Sequence, residues 1–129
     1  MDLPTLAQNA GDKYGLRPAL ILADIQHESA GNPFAIGDGG LALGLMQVHP
    51  AACSEMGNDW NALKAAIDAR DEETAARLGI DFGCAYLGKM LRLMGGDEAW
   101  ALGSFNQGES VIGRAHGYAV AVLALIPSS

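Results

Sequence analysis

The stretch Ile80–Gly96, IDFGCAYLGKMLRLMGG, decides how the chain folds. Its apolar residues Ile80, Cys84, Leu87, Leu91 and Met94 recur at alternating steps of four and three, which places them on one face of a helix. The pattern stops at Gly95-Gly96, a helix C-terminal signal, because glycine enters the left-handed region without steric cost. A long central helix over this stretch is the expected spine of the molecule.

Helical signals surround it. Leu3 to Tyr14 reads as a first helix closed by Gly15, and Pro18 suits the first turn of a second helix running to about Glu28. Ala30 to Gly44 is a loop rich in Gly, Asn, Asp and Pro, with room at most for a small hairpin. Pro50 to Met56 reads as one or two turns, Trp60 to Ala69 as a helix, and Asp71 to Leu78 as a polar, alanine-rich stretch. Asp97 is placed to cap a helix from Glu98 to Phe105, and Ser110 to Ile126 reads as the last helix before Pro127. No repeat, charge block or Pro/Ser-rich linker divides the chain, so residues 1–129 are read as one mainly α domain with a Gly-rich loop or small β-hairpin after the second helix.

Composition narrows the function. Half of the 129 residues are hydrophobic and 18% are charged, enough to bury a core. Fifteen acids against eight Lys plus Arg give a net charge of -7, which disfavours nucleic acid and anionic membrane as partners. The N-terminal residues lack a signal-peptide pattern and no window reaches the roughly 18 apolar residues of a membrane span. Cys53 and Cys84 have no metal-site spacing and could form one disulfide, but two half-buried thiols are the expected state. His27, His49 and His116 are scattered, and His27-Glu28 has no second His four residues on, so the zincin pattern fails. The glycine run Gly37 to Gly44 follows no strand and carries no Lys-Ser/Thr, so it is not a phosphate loop. Gly108-Glu109-Ser110-Val111-Ile112 misses the G-x-S-x-G elbow at its last residue. Trp60 and Trp100 fit core or cleft positions.

One acid breaks an apolar stripe. Ile21, Ile25 and Glu28 are spaced by four and three, so Glu28 extends the inward face of the second helix. Desolvation and the like charge of Asp24, one turn back, would both raise its pKa. A Glu that holds its proton near neutral pH can donate it, as glycosidic cleavage requires. The same spacing also fits an acid that simply emerges at a helix end, solvated or bonded to loop amides. Five glycines, Gly31, Gly37, Gly39, Gly40 and Gly44, follow within sixteen residues and leave backbone groups open to an extended polar ligand, or make an ordinary flexible turn.

Four motifs occur in one order: Glu28-Ser29 with Asn32-Pro33, Gly37-Asp38-Gly39-Gly40 and Gly44-Leu45-Met46-Gln47; then Gly83-Cys84-Ala85-Tyr86-Leu87; then Ser104-Phe105-Asn106-Gln107-Gly108; then Tyr118 with Val122. Together they resemble the soluble (SLT) type of lytic transglycosylase, related to goose-type lysozymes, over roughly residues 15 to 126. The resemblance implies a lysozyme-like α+β fold and cleavage of the β-1,4 bond between N-acetylmuramic acid and N-acetylglucosamine in peptidoglycan. It implies Glu28 as sole catalytic carboxylate, first an acid and then a base toward the muramic acid O6 hydroxyl, closing a 1,6-anhydro ring without metal or organic cofactor. Ser29, Met46, Gln47, Phe105, Asn106 and Tyr118 become the expected substrate-binding residues. Asp24, on Glu28's own helix, and Asp38, in a turn with a backbone role, do not read as a second catalytic carboxylate.

The chain departs from the family pattern at Phe105, where Tyr is usual, at Ala42, where many relatives have Ser, and in lacking an E-T pair before Tyr118. Two further readings stay open: a goose-type lysozyme that uses water in place of O6, and a non-catalytic wall-binding or virion module. The place of action expected is the bacterial wall in the periplasm, reached as part of a phage particle or a secretion apparatus.

Overall fold

The structure, a computed structural model, describes residues 1–107 and 116–127. Its elements are α1 (Leu3–Tyr14), α2 (Pro18–Ser29), β1 (Ile36–Gly37), β2 (Ala42–Leu43), α3 (Pro50–Glu55), α4 (Trp60–Asp68), α5 (Glu72–Leu93), α6 (Glu98–Gln107) and α7 (His116–Leu123). The expected mainly α architecture with a small hairpin after the second helix is present.

Helix α5 is the spine and is longer than the apolar stripe alone requires. The alanine-rich stretch before Ile80 joins it, because Asp71 caps the N-terminus by accepting from the Thr74 amide at 3.2 Å, and Ala75 and Ala76 are buried. At the other end Gly95 and Gly96 take φ of +64° and +87°, and the Gly96 amide donates back to the Leu91 carbonyl at 2.9 Å. Helices α1, α4 and α6 pack against α5, and α7 bridges α6 and α2. The core between them contains Leu20, Ile21, Ile25, Leu63, Leu87, Met90, Leu102 and Val122.

The last helix ends earlier than expected. Residues 108–115, which include Ser110 and the failed elbow motif, lie outside the described residues, and α7 ends at Leu123. The Leu125 and Ile126 amides donate to carbonyls three residues back, a tightened turn, because the residue before a proline, here Ile126 before Pro127, is pushed out of helical backbone.

The hairpin stands on α5. Ile36 pairs with Leu43 and Gly37 with Ala42, with a tight turn over Asp38–Gly40, and Leu43 also bridges Val48. Gly83 makes this seating possible, since a Cβ there would lie 2.5 Å from Met46 Sδ. Cys53 and Cys84 are both buried free thiols, which leaves the disulfide alternative unsupported. Among the described residues no helix is long and apolar enough to cross a membrane.

Candidate active site

Helix α2 ends by design of its sequence. Ala30 takes a left-handed φ of +52°, followed by Gly31 at +82°, so the chain turns sharply just after Glu28 and Ser29. The turn is held by Ser29, whose Oγ lies 2.8 Å from the Leu45 carbonyl and 3.1 Å from the Ile25 carbonyl, and accepts from the Gly31 amide at 3.3 Å. Ser29 therefore ties the helix end to the segment after the hairpin and is not part of the cleft lining.

Glu28 lies half-buried in a cleft of ≈ 510 Å³. The hairpin and the segment after it supply Asp38, Ala42, Gln47, Val48 and His49; α3 supplies Ala51 and Ala52; α5 and α6 supply Tyr86, Phe105 and Asn106. Gln47 is at φ +52°, and its Nε2 donates to the Ala35 and Gly44 carbonyls at 3.1 and 3.0 Å. Its Oε1 rests against Gly37, where a Cβ would approach to 2.5 Å. The side-chain amide thus staples the glycine loop and fixes the cleft wall. Tyr86 and Phe105 meet with ring centroids 5.8 Å apart, making an aromatic side to the cleft.

Burial pushes the Glu28 carboxyl up to about 8; the charges of Asp24 and, less, Asp38 push the same way, and a hydrogen bond from Tyr118 pulls against them. Asp24 is completely buried and burial pushes its carboxyl up to about 7, opposed by Tyr118, whose hydroxyl donates to Asp24 Oδ1 at 2.5 Å. Burial and then these two carboxyl groups drive the Tyr118 hydroxyl far above the ordinary phenol range, so it stays a donor. The arrangement holds a proton on a carboxylic acid at neutral pH beside an open groove.

The expected site residues separate into three groups. Glu28, Gln47, Phe105 and Asn106 converge on the cleft. Tyr118 stands behind Glu28, and His27 packs edge-on against its ring at 5.0 Å. Met46 does not line the cleft: it is 0% exposed, packed over Gly83 with its Sδ 3.7 Å from Cys84 Sγ. Leu45 and Met46 both turn into the core, and the left-handed backbone at Gln47 then redirects the next side chain toward the cleft.

Asp38 keeps the expected backbone role, holding the turn at φ +50° with its carbonyl accepting from the Leu41 amide at 3.3 Å; its side chain in addition faces the cleft and meets His49 Nε2 at 2.8 Å. This pair was missed because the two residues are eleven apart and become neighbours only when the hairpin folds back along Val48. Tyr86 was visible in its motif but not as a cleft residue, since it lies off the apolar stripe of α5.

A family model described as the transglycosylase SLT domain matches residues 5–123. The chain belongs to that family. This SLT domain is 54% identical over 46 residues, 36% of its length and 12% of the relative's, to the membrane-bound lytic murein transglycosylase C of Yersinia enterocolitica. It is 51% identical over 43 residues, 33% of its length and 12% of the relative's, to the protein of the same name from Serratia proteamaculans. Among solved structures, an inactive mutant of the lytic transglycosylase Slt from Pseudomonas aeruginosa matches 91% of the chain and 17% of its own, with TM-score 0.64 and 21% identity, a likeness of fold. The aligned region is thus about an eighth of the curated relatives' length.

Proposed function

We propose that this SLT domain is a lytic transglycosylase that cleaves the β-1,4 bond between N-acetylmuramic acid and N-acetylglucosamine in peptidoglycan, with Glu28 as the single catalytic acid and base. The observation that carries the reading is the position of Glu28: a half-buried carboxyl, protonated to about pH 8, opening on a groove walled by a hairpin on one side and aromatic rings on the other. In the first step Glu28 gives its proton to the leaving glycosidic oxygen. The carboxylate that results is a strong base at the same half-buried position, and takes the proton of the muramic acid O6 hydroxyl as that oxygen closes on C1. The products are a 1,6-anhydro end and a free 4-hydroxyl, with the proton returned to Glu28. Gln47, Phe105 and Asn106 hold the sugars, Tyr118 orients the acid, and Ser29 and Met46 act from behind by fixing the wall.

One observation favours a second reading, hydrolysis. Asp38 lines the same cleft and its charge reaches Glu28, so a carboxylate on the hairpin is available to orient a water toward C1. Mass spectrometry of muropeptides released from purified cell wall separates the two, because anhydro ends are lighter than hydrolysed ends by one water. Release of no muropeptide would reject both and leave a wall-binding module. Peptidoglycan strands are the proposed partner, with delivery as part of a phage particle or secretion apparatus; a net charge of -7 slows free encounter with an anionic wall. Co-sedimentation with such an assembly tests delivery, and a purely monomeric secreted form contradicts it.

A further inference from the structure

Asp24 is the one fully buried charged residue among the described residues, 0% exposed, one helical turn before Glu28. It occupies a helix whose other inward residues, Leu20, Ile21 and Ile25, are apolar. A dry carboxyl ordinarily has both oxygens hydrogen-bonded. Among the described residues Oδ1 accepts from Tyr118 at 2.5 Å and Oδ2 has no partner. Among those residues no cation offsets it, since burial and Tyr118 are what move its acidity. The titratable groups around it are Tyr118 from α7, the buried Cys84 thiol from α5, which feels its charge, and Glu28 on its own helix. Further out, Asp38 acts on Glu28 from the hairpin and His27 packs on the Tyr118 ring. A leucine would satisfy the packing of α2 at lower cost, so stability does not explain the acid.

We propose that Asp24 is a positioning residue for Glu28: it anchors the Tyr118 hydroxyl between the two carboxyls and takes the negative charge of the pair, so that the proton stays on Glu28. The inference rests on the reading of Glu28 as general acid. The 2.5 Å separation of Tyr118 Oη and Asp24 Oδ1 is the length of a hydroxyl donating to an ionised carboxylate. Asp24 sits one helical turn from Glu28 and its charge acts on the Glu28 carboxyl, so ionising one of the two makes ionising the other harder. Once Glu28 has given its proton to the leaving oxygen, the fixed charge one turn away makes the new carboxylate a stronger base for the return step.

The test is a carbon-13 carboxyl titration by NMR of the full chain, wild type and Asp24→Asn, beside the pH dependence of kcat/KM on purified cell wall. Asparagine keeps the shape and still accepts from Tyr118, so only the charge is lost. The Glu28 midpoint is expected to fall by about one pH unit or more, and the basic limb of the activity profile to move down with it. Activity would drop about fivefold at pH 8 and approach wild type on the acid side, a pattern a structural defect does not give. A folded Asp24→Asn protein with an unmoved Glu28 midpoint overturns the proposal. If that variant does not fold, the wild-type titration decides: Asp24 ionising before Glu28 supports it, and Asp24 remaining protonated while Glu28 titrates overturns it. Failure of wild type to cleave cell wall would reject the enzymatic reading alone, since the carboxyl titration still reads the linkage.

Discussion

Met46 lies over Gly83 so closely that a Cβ on residue 83 would come within 2.5 Å of its Sδ and 2.6 Å of its Cβ. This contact links the middle of α5 to the cleft wall, because Met46 is followed directly by Gln47. Gly83→Ala should therefore cost about 1–3 kcal/mol of stability, the usual penalty of overpacking, and lower activity by displacing Gln47. Urea denaturation measures the first and turnover of purified cell wall the second; unchanged stability would mean that Met46 moves aside freely.

Glu28→Gln should abolish cleavage of purified cell wall while the circular dichroism spectrum stays that of wild type. Loss of the transferable proton, not of shape, is the cause. Full activity in this variant would reject Glu28 as the acid.

Stability should fall as pH rises from about 4 toward 8. Glu28 is raised from 4.5 to about 8 and Asp24 from 3.8 to about 7. For a carboxyl whose folded value lies above its unfolded one, the stabilisation is fully present below the unfolded value and is lost as pH passes through the folded one. Urea midpoints followed across this range should decline for wild type and decline less for Glu28→Gln, which has one titrating group fewer. A flat wild-type curve would show that both groups ionise at ordinary acidity.

Phe105→Ala should lower kcat/KM about tenfold, the equivalent of about 1.4 kcal/mol, by removing the apolar face next to Tyr86. The effect should fall mainly on KM. An unchanged KM for glycan strands would place the sugars elsewhere.

The Asp38–His49 pair is exposed, so His49→Ala should change stability by under about 1 kcal/mol. It also removes the side chain that holds Asp38 on the cleft wall, so turnover of purified cell wall should fall. Unchanged turnover would show that Asp38 keeps its place without this partner.

Much of this was legible in the chain because it is local. The cap at Asp97, the turn glycines and the four-three spacing on α5 depend on residues within a few positions of one another; α6 starts after its cap and α5 stops at its glycines, while the start of α5 at Glu72 lies beyond what its apolar stripe announces. Glu28 was legible for the same reason, as a break in the stripe of Ile21 and Ile25. The wall of the cleft was less so. His49 meets Asp38, and Met46 turns away from Gln47 into the core, through contacts made only once the hairpin lies across α5; neither residue's own neighbours carry that information. Asp24 was visible as a like charge, but its dependence on Tyr118 spans 94 residues.

Trp60 stands on α4 with its indole Nε1 3.2 Å from the Leu41 carbonyl and 3.3 Å from the Val48 carbonyl, so one ring holds both the tip of the hairpin and its returning strand. The molecule thereby contains its own optical gauge. On the proposed function, a glycan strand that reaches Val48 in the groove is expected to disturb the indole's surroundings, while Trp100 is 48% exposed and reports mainly on solvent. The short-wavelength edge of the intrinsic emission should follow occupancy of the groove without any added label.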